Sequence, residues 1–152
     1  MTQQIVEPKA TEQRDAAGVA KTFLNGFNKS DWKAVRAVLA DNSVYEEHGT
    51  QRHIEGADAI MEVYKAWKTA MPDVQGLVGN VAAVGDTALV ELVWEGTHTG
   101  PLETPTGTVP ASGKSQRTPG VFSIDVKNGV IATSRNYFDM LTFLQQIGAV
   151  PA

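Results

Sequence analysis

Residues 117–148 read RTPGVFSIDVKNGVIATSRNYFDMLTFLQQIG. Lys127-Asn128-Gly129 divides the stretch, and Asn-Gly favours a type I′ turn, so Arg117–Val126 and Val130–Phe138 are expected to pair as an antiparallel hairpin. Pro119 has no N–H, which requires its strand to be an edge or to carry a bulge at that point. After Phe138 the apolar spacing lengthens to that of a helix, expected over Met140–Ile147 with Gly148 as its C-cap. A strand that hands over directly to a helix leaves Asp139 at the junction.

Working back toward the amino terminus, Thr87–His98 and Gly76–Val84 are β-rich and are joined by Gly85-Asp86, a tight-turn signal. Residues 99–115 are rich in Gly, Pro, Thr and Ser, too long for a hairpin turn, and are expected to form a flap. The first half is helical. Ala20, Phe23, Leu24 and Phe27 recur at helical spacing within Thr11–Asn28. Ser30 is the expected N-cap of a short second helix carrying Trp32, Val35 and Leu39. Val44–Glu47 reads as a short strand. A third helix, from Ala57 to Met71, turns Ile60, Tyr64, Trp67 and Met71 to a core and stops at Pro72. Residues 1–10 read as a flexible arm and 11–152 as one domain without repeats. The fold class is α+β: three N-terminal helices packed on a curved antiparallel or mixed sheet, with a short C-terminal helix. A bent sheet wrapped on helices makes a cone, whose open end is the place to seek a small-molecule site.

The 152 residues, 42% hydrophobic, suffice for one buried core. A net charge of −4 argues against nucleic acid and anionic membranes as partners. No apolar run reaches the ~20 residues of a spanning helix, and Met1–Ala10 is too polar for a secretory signal. Cysteine is absent, so thiol nucleophiles, disulfides and zinc–thiolate sites drop out. This balance favours a soluble cytoplasmic protein. GxSxG, P-loop and dinucleotide fingerprints are missing.

Asp139 is the first candidate for chemistry. Strand alternation puts Arg135, Tyr137 and Asp139 on one face. A carboxylate at the inner end of a strand among aromatic side chains would have its pKa raised by desolvation, which suits acid–base work. Asp is equally a favoured N-cap, and both roles are open. In Tyr45-Glu46-Glu47-His48, an inward Tyr45 would carry Glu47 with it, while Glu46 and His48 take the other face; the glutamate pair as a solvated strand end is the more ordinary reading. Leu92, Trp94, Gly96 and His98 share a face of their strand, so His98 could reach the pocket as a proton donor or could anchor the long loop. Trp67, Trp94, Phe122 and Tyr137 are the aromatic residues available to line a cavity. His48, His53 and His98 lack the spacing of a ligand pair on one helix, and no metal is expected.

Several segments in order resemble the SnoaL-like polyketide (ester) cyclase family of the NTF2-like superfamily. They are Met71-Pro72-Asp73, Gly85-Asp86, Trp94 to Gly100, Ser112-Gly113-Lys114, Tyr137-Phe138-Asp139 and Gln145 to Gly148, within roughly Ala16–Gly148. The resemblance implies a conical α+β barrel that dimerises. It also implies cofactor-free and metal-free aldol-type ring closure of a hydrophobic carbonyl compound. The family's acid/base aspartate then falls on Asp139, with His98 or Tyr137 as donor to the new alkoxide. Tyr45, Glu47, His48, Trp67, Trp94, Phe122, Arg135 and Tyr137 would surround the substrate. Limonene-type epoxide hydrolases resemble the Arg135–Asp139 strand end, but the places of their polar strand pair hold Leu92 and Trp94 here. Epoxide hydrolysis is the first alternative, and a non-catalytic binder of apolar ligands the second.

Overall fold

The first described helix begins where Asp15 accepts a hydrogen bond from Gly18 N at 2.7 Å, capping α1 (Ala16–Asn28). The computed structural model describes residues 15–152. The expected arm, and the helical start at Thr11, lie outside the described residues. α1 buries Val19, Ala20, Phe23, Leu24 and Phe27, the face its spacing specifies. The cap of α2 (Trp32–Ala37) is Asp31 rather than Ser30: its carboxylate accepts from Ala34 N, while Ser30 takes a positive φ of 55° in the turn.

β1 (Leu39–Glu47) starts earlier than expected and claims Leu39 from the helix. β2 (Arg52–Glu55), which the sequence reading did not anticipate, returns antiparallel to it. α3 (Ala57–Ala70) buries Ile60 and Tyr64. β3 (Gln75–Val84) and β4 (Thr87–Thr97) form the expected hairpin through Gly85 at φ +58°. The flap contains structure of its own, the small hairpin β5 (Leu102–Thr104) and β6 (Gly107–Val109). Its base is tied to the end of α3, where Thr99 N and Gly100 N both donate to Ala70 O. β7 (Ser115–Lys127) and β8 (Val130–Phe138) meet at Asn128 and Gly129, both at positive φ as a type I′ turn requires. α4 (Met140–Gln146) closes the chain, with Gly148 at φ +75° just past its end.

Six of the eight strands make one mixed sheet in the order β2-β1-β8-β7-β4-β3, with only β1 and β8 parallel. β7 is therefore interior, yet it carries Pro119. Arg117 N donates to Gln146 Oε1 on α4, so alternate residues of β7 turn away from β4 there. Pro119 falls on that side, and β8 pairing begins only at Gly120↔Phe138. Its missing donor thus meets no strand, and the edge expected from the sequence exists locally within an interior strand. α1 packs on β3, β4 and β7, and α3 on β1, so the helices cover one face of the sheet and enclose the core.

Candidate active site

Between the helices and the sheet lies a cavity of about 40 Å³, room for a few waters. Nine of its fourteen lining residues are aromatic, among them Phe23 and Phe27 from α1, Tyr64 and Trp67 from α3, Trp94 from β4 and Phe122 from β7. Tyr45, Asn136, Phe138 and Phe143 complete one side, and Gln116, Thr118, Met71 and Val74 the other. Among the described residues, no charged side chain lines it.

Strand parity decides what reaches this space. On β1 the inward residues are Ser43, Tyr45 and Glu47, and on β8 they include Ser134 and Asn136. Tyr45 and Glu47 thus point inward together, as the expected alternation has it. Glu47 is wholly buried and makes five hydrogen-bond contacts. Its Oε1 accepts from Thr50 Oγ1 at 2.6 Å and from Arg52 Nη2 and Nε at 2.6 and 3.1 Å. Its Oε2 accepts from Tyr45 Oη at 2.8 Å and from Trp67 Nε1 at 2.9 Å. Asn136 Nδ2 in turn donates to Tyr45 Oη at 3.2 Å. Glu47 does not line the cavity, but three residues of this network, Tyr45, Trp67 and Asn136, do. Burial, and after it the Glu47 charge, pushes the Tyr45 phenol well above the usual tyrosine value. Burial raises Tyr64 likewise.

Other expectations require correction. Arg135 and Tyr137 do share a face, but it is the outer one: Arg135 pairs with Asp125 at 3.1 Å, and Tyr137, 44% exposed, stacks on His48 at 4.4 Å. Neither they nor His48 line the cavity. Asp139 continues that outer face and is exposed. It caps α4, accepting from Thr142 N at 3.1 Å and Thr142 Oγ1 at 2.5 Å. Those bonds hold its carboxyl below the usual aspartate value, the opposite of the expected shift. The desolvation argument for Asp139 as acid–base group therefore fails, and its helix-cap role stands. His98 is buried beneath the long loop, not in the cavity. Its Nδ1 accepts from Ser112 N at 3.2 Å, its backbone bonds Gly113 and Lys114, and burial lowers its pKa. Trp67, Trp94 and Phe122 do line the cavity.

The sequence reading missed Asn136, Arg52 and Thr50. Asn136 was legible in principle, since Ser134 and Asn136 alternate with the outward pair. Arg52 was not, because it arrives on an unanticipated strand. Three polar atoms of lining residues, Tyr64 Oη, Trp94 Nε1 and Asn136 Oδ1, are buried without a hydrogen-bond partner among the described residues. The arrangement thus couples a buried carboxylate, through a phenol, to an aromatic cavity that holds an unengaged donor and an unengaged acceptor.

The sequence matches the family model described as SnoaL-like polyketide cyclase over residues 17–147. No curated protein matches it significantly. Among solved structures it resembles a candidate SnoaL-like polyketide cyclase from Jannaschia sp. CCS1, at 19% identity and TM-score 0.80 over 96% of this chain and 99% of that one. It also resembles a candidate polyketide cyclase from Xanthomonas campestris pv. campestris, at 25% identity and TM-score 0.76 over 89% and 97%. A protein of ketosteroid isomerase-like fold from Catenulispora acidiphila aligns at 15% identity and TM-score 0.72 over 86% and 92%.

Proposed function

Because the chain belongs to the SnoaL-like polyketide cyclase family, we propose that it moves protons on a small, neutral, hydrophobic carbonyl compound, with the Glu47–Tyr45 pair as base. The observation that carries this reading is a fully buried carboxylate one hydrogen bond behind a tyrosine of the cavity wall. A buried charge is costly to desolvate, so its position next to a cavity calls for a use.

The proton leaving carbon next to a carbonyl passes to Tyr45 Oη while the phenol's own proton moves along the 2.8 Å bond to Glu47 Oε2. The high Tyr45 value keeps free tyrosinate from accumulating, so the two transfers run together. The substrate becomes an enolate, Glu47 a carboxylic acid, and Tyr45 is unchanged. Trp94 Nε1, a donor without a partner among the described residues, supports the developing oxyanion. Attack of the enolate carbon on a second carbonyl closes the ring, and the proton returns from Glu47 through Tyr45 to the new alkoxide. A substrate must enlarge the 40 Å³ space. Phe138, which borders both the cavity and a groove on the outer sheet face, is the side chain best placed to swing.

A binder without catalysis is the second reading. The full engagement of both Glu47 oxygens favours it. No observation favours epoxide opening, since the inward β4 positions are Leu92 and Trp94. The discriminating experiment is NMR detection of deuterium uptake from D₂O at carbon next to the carbonyl, over a panel of aromatic ketones and polyketide esters. The enzyme reading predicts exchange that Glu47→Gln abolishes. Tight binding without exchange for every member supports the binder.

The protein is further proposed to act as a homodimer. Leu77, Leu89 and Tyr137, each 40–44% exposed, sit on the sheet face that the helices leave uncovered. Such a face suits a second copy.

A further inference from the structure

We infer that Asn136 is a specificity-determining residue, fixed by the Arg52–Glu47–Tyr45 chain so that its Oδ1 selects ligands bringing a hydroxyl or enol donor into the cavity. The inference rests on the reading of this cavity as the substrate site.

Which way an amide points is decided by its network. Arg52 and Trp67 can only donate, and both bond Glu47, so its two oxygens must accept. Tyr45 Oη lies at 2.8 Å from Oε2 and must spend its proton there. The phenol oxygen is then free only to accept, and the Asn136 atom at 3.2 Å from it must be Nδ2. Oδ1 is left over, an acceptor on a side chain only 7% exposed, with no hydrogen-bond partner among the described residues. The charge of Glu47 thereby sets the polarity of an atom two residues along the network.

The other polar groups of the wall do not compete for this role. Thr118 Oγ1 donates to Gln116 Oε1, Gln116 Nε2 faces Met71 Sδ, and Gln146 Nε2 donates to Thr118, so that side is internally engaged. Tyr64 Oη can donate or accept and selects nothing. Trp94 Nε1 only donates. The lining therefore asks for one acceptor on the ligand, opposite Trp94, and one donor, opposite Asn136. With no charged side chain in the lining among the described residues, an anionic ligand gains no ion pair. A neutral hydroxylated ketone fits, and a ketone with acceptors alone does not.

The test is calorimetric titration with 4-hydroxyacetophenone and 4-fluoroacetophenone, which differ in the donor. The hydroxyl compound should bind wild type ~10-fold or more tightly than the fluoro compound, the worth of one buried hydrogen bond. Asn136→Leu should bring the ratio near one. Glu47→Gln frees Tyr45 to accept from the new amide, letting Asn136 turn round, and should also collapse the ratio or invert it. A purely structural Asn136 would not respond to Glu47 in this way, and Glu47→Gln serves if Asn136→Leu does not fold. Equal affinities in wild type, or a ratio that survives the variants, overturns the inference. Deuterium exchange next to the carbonyl separates the two claims. Exchange with equal affinities leaves the catalytic reading standing and this one fallen; a preserved preference without exchange does the reverse. Failure of both compounds to bind defeats both.

Discussion

At the scale of single residues, the contrast between Glu47 and Asp139 is a contrast of surroundings. Glu47 is fully buried and ringed by donors, whereas Asp139 is exposed and bonded to its own helix. Glu47→Gln should lower turnover by ~10²–10⁴ while leaving helix content unchanged, measured by steady-state kinetics and circular dichroism. Asp139→Asn should keep both turnover and stability, because Asn caps nearly as well as Asp, whereas Asp139→Ala should lower the melting temperature and spare kcat. Arg52→Met leaves the Glu47 charge buried and unpaired, and chemical denaturation should read a loss of ~3–5 kcal/mol. The alternation of residues 135–139 was legible in the sequence, but which of its two faces met the core was not. The face depends on the parallel pairing of β1 with β8, a contact between distant segments that no local pattern encodes.

At the scale of elements, the long loop is held by its base rather than by its length. A methyl group on Gly100 would fall 2.0 Å from Thr69 O, so Gly100→Ala must push the loop off α3 and should cost ~1–3 kcal/mol in denaturant titrations. His98 adds a pH response. Burial lowers its folded pKa, so its contribution is complete above the ordinary histidine value near 6.5 and is lost as pH falls through the folded value. Melting temperature should accordingly decline on acidification below ~6.5, and His98→Asn should flatten that slope. The turns at Gly85 and at Asn128-Gly129 were readable because their dihedral needs are met by few residue types. β2 was not, since Arg52–Glu55 carries half-exposed, mostly polar residues whose strand form is imposed by pairing with β1.

At the scale of the whole molecule, the helices cover one sheet face and leave the other open, with Leu77, Leu89 and Tyr137 outermost. Sedimentation velocity at micromolar concentration should show a dimer that Leu89→Asp converts to monomer, and a wild-type monomer would refute the assembly. The ordered motifs were enough to indicate the SnoaL-like architecture, because each marks a turn or an element junction. The chemistry was less legible, since the donors around Glu47 come from β1, β2 and α3 and converge only in the folded chain. The most direct test of the Glu47–Tyr45 base is the rate of deuterium uptake next to the carbonyl of a bound ketone, compared between Glu47→Gln and Asp139→Asn. The account predicts exchange lost in Glu47→Gln and intact in Asp139→Asn. Exchange intact in Glu47→Gln and lost in Asp139→Asn would contradict it.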